Sequence, residues 1–238
     1  MYKKKPLGAD IPLIEKELPN FVTEKRLAHI SSVRETAMFL CDFFLSLGAE
    51  LDRDTVEAAA LLHDITKCMN QSDLCVQFGI SLTSDDENSP ETLHAITGAQ
   101  FAKERYGICD EVFSAIKKHT VGDAEMSLSD KIIFVSDYCE ETRVHEDCRE
   151  MRARLLEIPE KISKIPEMRE KAERAVLFLD LVMAEIVFKT IKFLSTGKGH
   201  IHSKTYETLR ALWTSNKDDK EFSTLCEKYP DVMNKMLF

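Results

Sequence analysis

The chain has 238 residues, 44 % hydrophobic and 31 % charged, the balance of a folded globular protein long enough for a real core. A net charge of −9 argues against nucleic-acid or anionic-membrane binding, and no apolar run approaches the roughly 20 residues that span a bilayer. Seven cysteines, odd in number and never spaced C-x-x-C, exclude a disulfide framework and a zinc ribbon and point to a reduced, cytoplasmic chain.

The opening "MYKKKPLGAD" carries charge but no apolar stretch behind it, so it is not a secretory signal. A helix is expected over 21–47, with His29, Val33, Thr36, Leu40 and Phe44 on one stripe and Gly48 ending it. Asp52 caps the next helix, which runs through "EAAALLHDITK" to about Met69. Residues 79–90 read as a polar loop. Ser89 and Pro90 then start a helix through His94 to Arg105, stopped at Gly107. Asp110 begins another that reaches His119, and "SLSDKIIFVSDYCE" is a further helix, apolar until Asp137. The charged span 141–172, with prolines at 159 and 166, predicts short helices, and a long apolar helix covers about 173–195. Strand-like alternation is nowhere sustained, so the fold class is all-α.

Five of these helices place an ionisable group where a core side chain belongs. His29 lies on a buried stripe; His63 and Asp64, His119 and Asp137 each end an apolar run, and His94 sits in a first turn. A buried carboxylate without a partner is costly, so the set needs a common explanation. Four imidazoles and two carboxylates suit iron, manganese or zinc better than magnesium or calcium. Adjacent His63 and Asp64 point about 100° apart on a helix, and both reach one cluster only if the carboxylate is central. That arrangement favours Asp64 bridging two ions, with a bridging water activated for attack on phosphorus. His145, His200 and His202 do not share the pattern, and His145 reads as solvated.

The order H…HD…H…H…D resembles the HD-domain superfamily of metal-dependent phosphohydrolases. Within it, "EKRLAHISSVRETA", "AALLHDITK", "SPETLHAITGAQFAKERYGI", "AIKKHTVG" and "MSLSDKIIFVSDYCEETR" resemble the YqeK-like symmetrical diadenosine tetraphosphate hydrolases. The similarity covers about 20–143, and more loosely 173–212. It implies metal ligation by His29, His63, Asp64, His94, His119 and Asp137, with a pair of iron ions typical. It also implies phosphate-side roles for Lys67, Thr120, Gly122 and Arg143, with Asp64, Lys67 and Arg143 serving catalysis. The implied substrate is a small anionic nucleotide, cleaved to two molecules of ADP; a homodimer stays open.

Several features depart from that family, among them the prolines missing from "LHAITGA" and "DYCEETR" and the extra tail after about 213. Asp123 to Glu125 stand where a cation is expected after "H-T-x-G", and the 144–172 segment is longer than the family's connection. Acids beside a polyphosphate site should weaken binding unless Arg143, Arg149 or Arg152 swings over it. They also leave room for a regulatory nucleotide-binding module, or for a hydrolase of a less charged nucleotide. The expected organisation is an N-terminal extension (1–19), an HD-type domain (20–212) and a C-terminal helical tail (213–238).

Overall fold

Helical periodicity carries through to the structure, a computed structural model that describes residues 10–237. Among these residues there is no strand, and no helix is long and apolar enough to cross a membrane. The chain opens with α1 (Ile11–Glu17) and a 3₁₀ turn, followed by α2 (Glu24–Ser46), which is capped by the Thr23 hydroxyl. Then come α3 (Arg53–Leu62), α4 (Gln71–Gln77), α5 (Ser84–Asn88), α6 (Leu93–Tyr106), α7 (Asp110–Lys118) and α8 (Leu128–Cys139). The second half comprises α9 (Glu146–Leu156), α10 (Ile158–Ser163), α11 (Met168–Phe193), α12 (Ser203–Asn216), α13 (Lys220–Glu227) and α14 (Pro230–Leu237).

Two expectations need correction. The helix predicted to run to Met69 ends at Leu62, and the chain continues in tight turns. Ile65 N–H donates to Leu62, Lys67 N–H to Asp64 and Met69 N–H to Thr66, each to a carbonyl three residues back. The loop predicted over 79–90 contains α5, nucleated by a capping box in which Thr83 and Asp86 each bond the other's backbone N–H. At the other boundary, Gly107 takes φ +62° and closes α6, as its position predicts.

α8 lies at the centre of the architecture. α2, α3 and α7 pack against it, and so do α9 and α11. α11 is buried continuously from Phe178 to Phe188, including two carboxylates. Burial of Asp180 is offset by Lys131, 2.6 Å away, and that of Glu185 by Arg154. Residues 1–9 of the expected extension lie outside the described residues, whereas Ile14 and Leu18 are buried in the core beside α3. The tail is anchored too: Phe222 and Met236 are fully buried, and Tyr229 stacks on Phe188 at 4.5 Å.

Gly122 is where the backbone turns from the site toward α12. It holds φ +75°, and a Cβ there would come within 2.4 Å of the Thr208 hydroxyl. That hydroxyl already bonds the Lys204 carbonyl at 2.8 Å, so it has little freedom to move. Gly122→Ala is therefore expected to destabilise the fold by about 2 kcal/mol or more, of which the positive φ alone accounts for ~1. Chemical denaturation checks this. Adding Thr208→Ala should recover the part due to the clash and leave the part due to φ.

Candidate metal centre

All six side chains singled out in the sequence converge on one point, brought by α2 (His29), the turn after α3 (His63, Asp64), α6 (His94), the end of α7 (His119) and α8 (Asp137). Their donor atoms separate into two groups that share Asp64. Oδ1 lies 3.1 Å from His94 Nε2 and 3.7 Å from His119 Nε2, while those two nitrogens are 3.1 Å apart. Oδ2 lies 3.5 Å from His29 Nε2 and 3.6 Å from His63 Nε2, themselves 3.4 Å apart. Asp137 Oδ1 completes the second group, 3.0 Å from His29 and 3.9 Å from His63.

These separations suit ion coordination. Ligands about 2.1 Å from one ion stand about 3.0 Å apart at right angles and about 3.4 Å apart at the tetrahedral angle. The two sets, His29–His63–Asp64 and Asp64–His94–His119, could each hold an ion.

The outer nitrogens fix the imidazoles. His63 Nδ1 donates to the Ala60 carbonyl and His119 Nδ1 to the Ile116 carbonyl, both at 2.7 Å; His94 Nδ1 donates to the Glu91 carbonyl at 2.8 Å. Each bond reaches three residues back, and His29 Nδ1 instead meets Glu140 Oε1 at 3.1 Å. With Nδ1 turned to these outer acceptors, Nε2 is the nitrogen left to face the centre, as in a metal-ligating imidazole. Burial pushes His63 down to about 4 and lowers His94 as well, so both imidazoles are neutral near pH 7. Burial works to raise Asp64, yet His63, His119 and His94 hold it far below the usual carboxylate range. For Asp137, burial is likewise outweighed by Arg143 and His29.

A cleft of about 690 Å³ opens above the cluster and is lined by four cations, Lys25, Arg26, Lys67 and Arg143. Lys67 Nζ donates to the Glu91 carbonyl at 3.1 Å, and burial lowers its pKa. Arg143 Nη2 binds Asp137 at 2.7 Å, and its buried Nε has no partner. Thr120 is in the wall with a buried hydroxyl that is also unpartnered.

Gly122 is packed on α12, not in the cleft lining. Asp123 likewise turns away and binds Lys204 at 2.6 Å, so the acid expected beside the phosphates is not there. Of the three candidate compensating arginines only Arg143 lines the cleft. Arg152 bonds the carbonyls at the end of α8, and Arg149 is exposed outside the lining. His145 is exposed, as expected, but it lines the cleft.

Sequence reasoning missed Arg26, whose Nη1 lies 2.6 Å from Asp64 Oδ2, and Glu140 behind His29. The available signal was spacing: Arg26 stands three residues before His29, and Glu140 three after Asp137, each one helical turn from a ligand position.

The HD domain family model matches residues 27–142. A Staphylococcus aureus protein named symmetrical bis(5'-nucleosyl)-tetraphosphatase is 33 % identical over 192 residues, which cover 77 % of this chain and 90 % of that protein. The chain belongs to the HD-domain family, with the symmetrical tetraphosphatases. A Halalkalibacterium halodurans protein of the same name is 38 % identical over 125 residues, 51 % of this chain and 64 % of that protein, so this match spans just under two thirds of the relative. The crystal structure of a predicted HD superfamily hydrolase involved in NAD metabolism from Clostridium acetobutylicum superposes with a TM-score of 0.69 at 27 % identity. It covers 88 % of this chain and 100 % of that one.

Proposed function

We propose that this chain is a metal-dependent phosphohydrolase that splits diadenosine tetraphosphate at its central phosphoanhydride, one water adding to give two ADP. The observation that carries the reading is the division of Asp64, with each carboxylate oxygen at the apex of a separate pair of imidazoles. His29, His63, Asp64 and Asp137 would hold one ion, and Asp64, His94 and His119 the other. The nitrogen–oxygen donor set suits transition metals. Iron is the metal that the sequence resemblance implies, and manganese or zinc fit the same donors. Two such ions would supply an activated water and offset charge on the phosphoryl oxygens.

The chain's own residues do the rest. Glu140 and the three carbonyls orient the imidazoles. Lys25, Arg26, Lys67 and Arg143 line the cleft, cations suited to a tetraphosphate chain. Arg143 holds Asp137 with one nitrogen, and its free Nε–H is available to a phosphate oxygen. The Thr120 hydroxyl is a further donor in the wall. Seven unpaired cysteines suit a reducing, cytoplasmic setting.

The alternatives, a regulatory module or a hydrolase of a less charged nucleotide, drew their support from Asp123. That residue is paired with Lys204 away from the cleft, so the motive for them falls. A parallel screen with iron and manganese tests the reading. Diadenosine tetraphosphate should be cleaved faster than nucleoside triphosphates or monophosphates, with ADP as sole product. ATP plus AMP, or tight binding without turnover, would contradict it. Asp123→Arg should change kcat/KM by less than about threefold, the scale of a partly exposed ion pair. A tenfold gain would return Asp123 to the phosphate site.

A further inference from the structure

The cleft lining combines cationic side chains with apolar and aromatic ones. Lys25, Arg26 and Lys67 face it from α2 and the turn after α3. α8, α11 and the loop that follows α8 contribute the apolar and aromatic part. Phe134 with Tyr138, and Ile186 with Thr190, are pairs one helical turn apart, so each pair shares a face. Val144 and His145, which follow Arg143 in that loop, are exposed and also line the cleft. Val144 is 64 % exposed. A single exposed apolar residue means little, but this one lines the same cavity as Phe134, Tyr138, Ile186 and four cations.

The loop that carries it is held from several directions. Arg152, on α9, donates Nε to the Cys139 carbonyl at 2.6 Å and Nη2 to the carbonyls of Glu140 and Arg143, the latter at 2.9 Å. Both the backbone N–H and the hydroxyl of Thr142 donate to Glu140 at 2.6 Å, and Arg143 binds Asp137. An exposed connection between two helices is thereby fixed in one shape, which lowers the ordering cost of any ligand that rests on it.

We infer that Val144 and His145 form a lip that takes a nucleobase of the substrate, and that Arg152 is the positioning residue that holds the lip. The inference rests on the nucleotide phosphohydrolase reading above. Bases present flat, apolar faces that stack on aromatic rings such as imidazole, while the phosphates lie toward the cations. Because Val144 and an imidazole face offer contact area rather than a hydrogen-bond pattern, the lip favours the larger purine over the pyrimidine without reading its edge. The long 144–172 segment acquires a role on this account, since α9 supplies the residue that fixes the lip.

The test compares ADP with pyrophosphate as ligands of the full-length, manganese-loaded chain, measured by calorimetry. Val144→Ser combined with His145→Ala should weaken ADP roughly tenfold and pyrophosphate by less than about twofold, because pyrophosphate has no base to lose. Both residues are exposed, so the fold should tolerate the change. Arg152→Met should produce a smaller loss in the same direction, again confined to ADP. Equal weakening of both ligands, or no weakening of ADP, would overturn the lip. If the wild-type chain cleaves no dinucleoside tetraphosphate while the ADP-selective loss is seen, the functional reading fails and the lip stands. If turnover is normal and the ADP-selective loss is absent, the lip alone fails.

Discussion

Asp64→Ala is expected to remove metal and turnover together, lowering kcat/KM by roughly 10³-fold or more. Loss of an outer-sphere partner alone typically costs about 10- to 100-fold, and Asp64 is not an outer partner. Its two oxygens lie within 3.7 Å of all four inward-facing imidazole nitrogens, so no other side chain can take its place between the two groups. Without it, His94 and His119 keep no carboxylate, and the other group retains only Asp137. The fold should survive, because the partner left behind, Arg26, has a side chain 29 % exposed and can turn to water. Metal content by plasma mass spectrometry, read beside an unchanged circular dichroism spectrum, checks it. A variant that retains its metal and more than a tenth of its activity would remove Asp64 from the bridge.

Arg143→Ala comes second in expected size, at about 100-fold in kcat/KM. A charge-assisted contact is worth about 1.5–3 kcal/mol, or roughly ten- to hundred-fold. Arg143 is placed to make two, one to Asp137 at 2.7 Å and one through its unpartnered Nε. The loss should fall on kcat as well as KM, since the same guanidinium steadies Asp137 and faces the cleft. Arg143→Lys should recover only part of it, because an ammonium cannot serve both partners in a fork. Metal content should stay near that of the wild type. Steady-state kinetics with diadenosine tetraphosphate decides, and an effect below about fivefold would show that Arg143 does not reach the phosphates.

The fold class was legible because long helices with buried stripes leave a 3.6-residue period, as along His29, Val33, Leu40 and Phe44, all buried in α2. The candidate site was legible for a related reason: a histidine or aspartate that ends an apolar run is conspicuous. Short polar elements leave no such mark. α5 is held by a capping box within a run of acids, and its five residues bury nothing. The end of α3 was hidden as well, because apolar residues continue through Ile65 after the helix has given way to tighter turns. The direction of Asp123 depends on the positive φ of Gly122 and on Lys204, 81 residues away, and no local pattern encodes that pairing. Arg26 and Glu140 differ from these, since each stood one turn from a residue already singled out.

The central claim is that two ions, sharing Asp64, carry the hydrolysis. Titrating manganese into chelator-stripped protein while following ADP release from diadenosine tetraphosphate tests it most directly. Activity should be absent at the start, rise with added metal, and level off at about two equivalents per chain. A plateau at one equivalent, or ADP release undiminished in excess chelator, would contradict it.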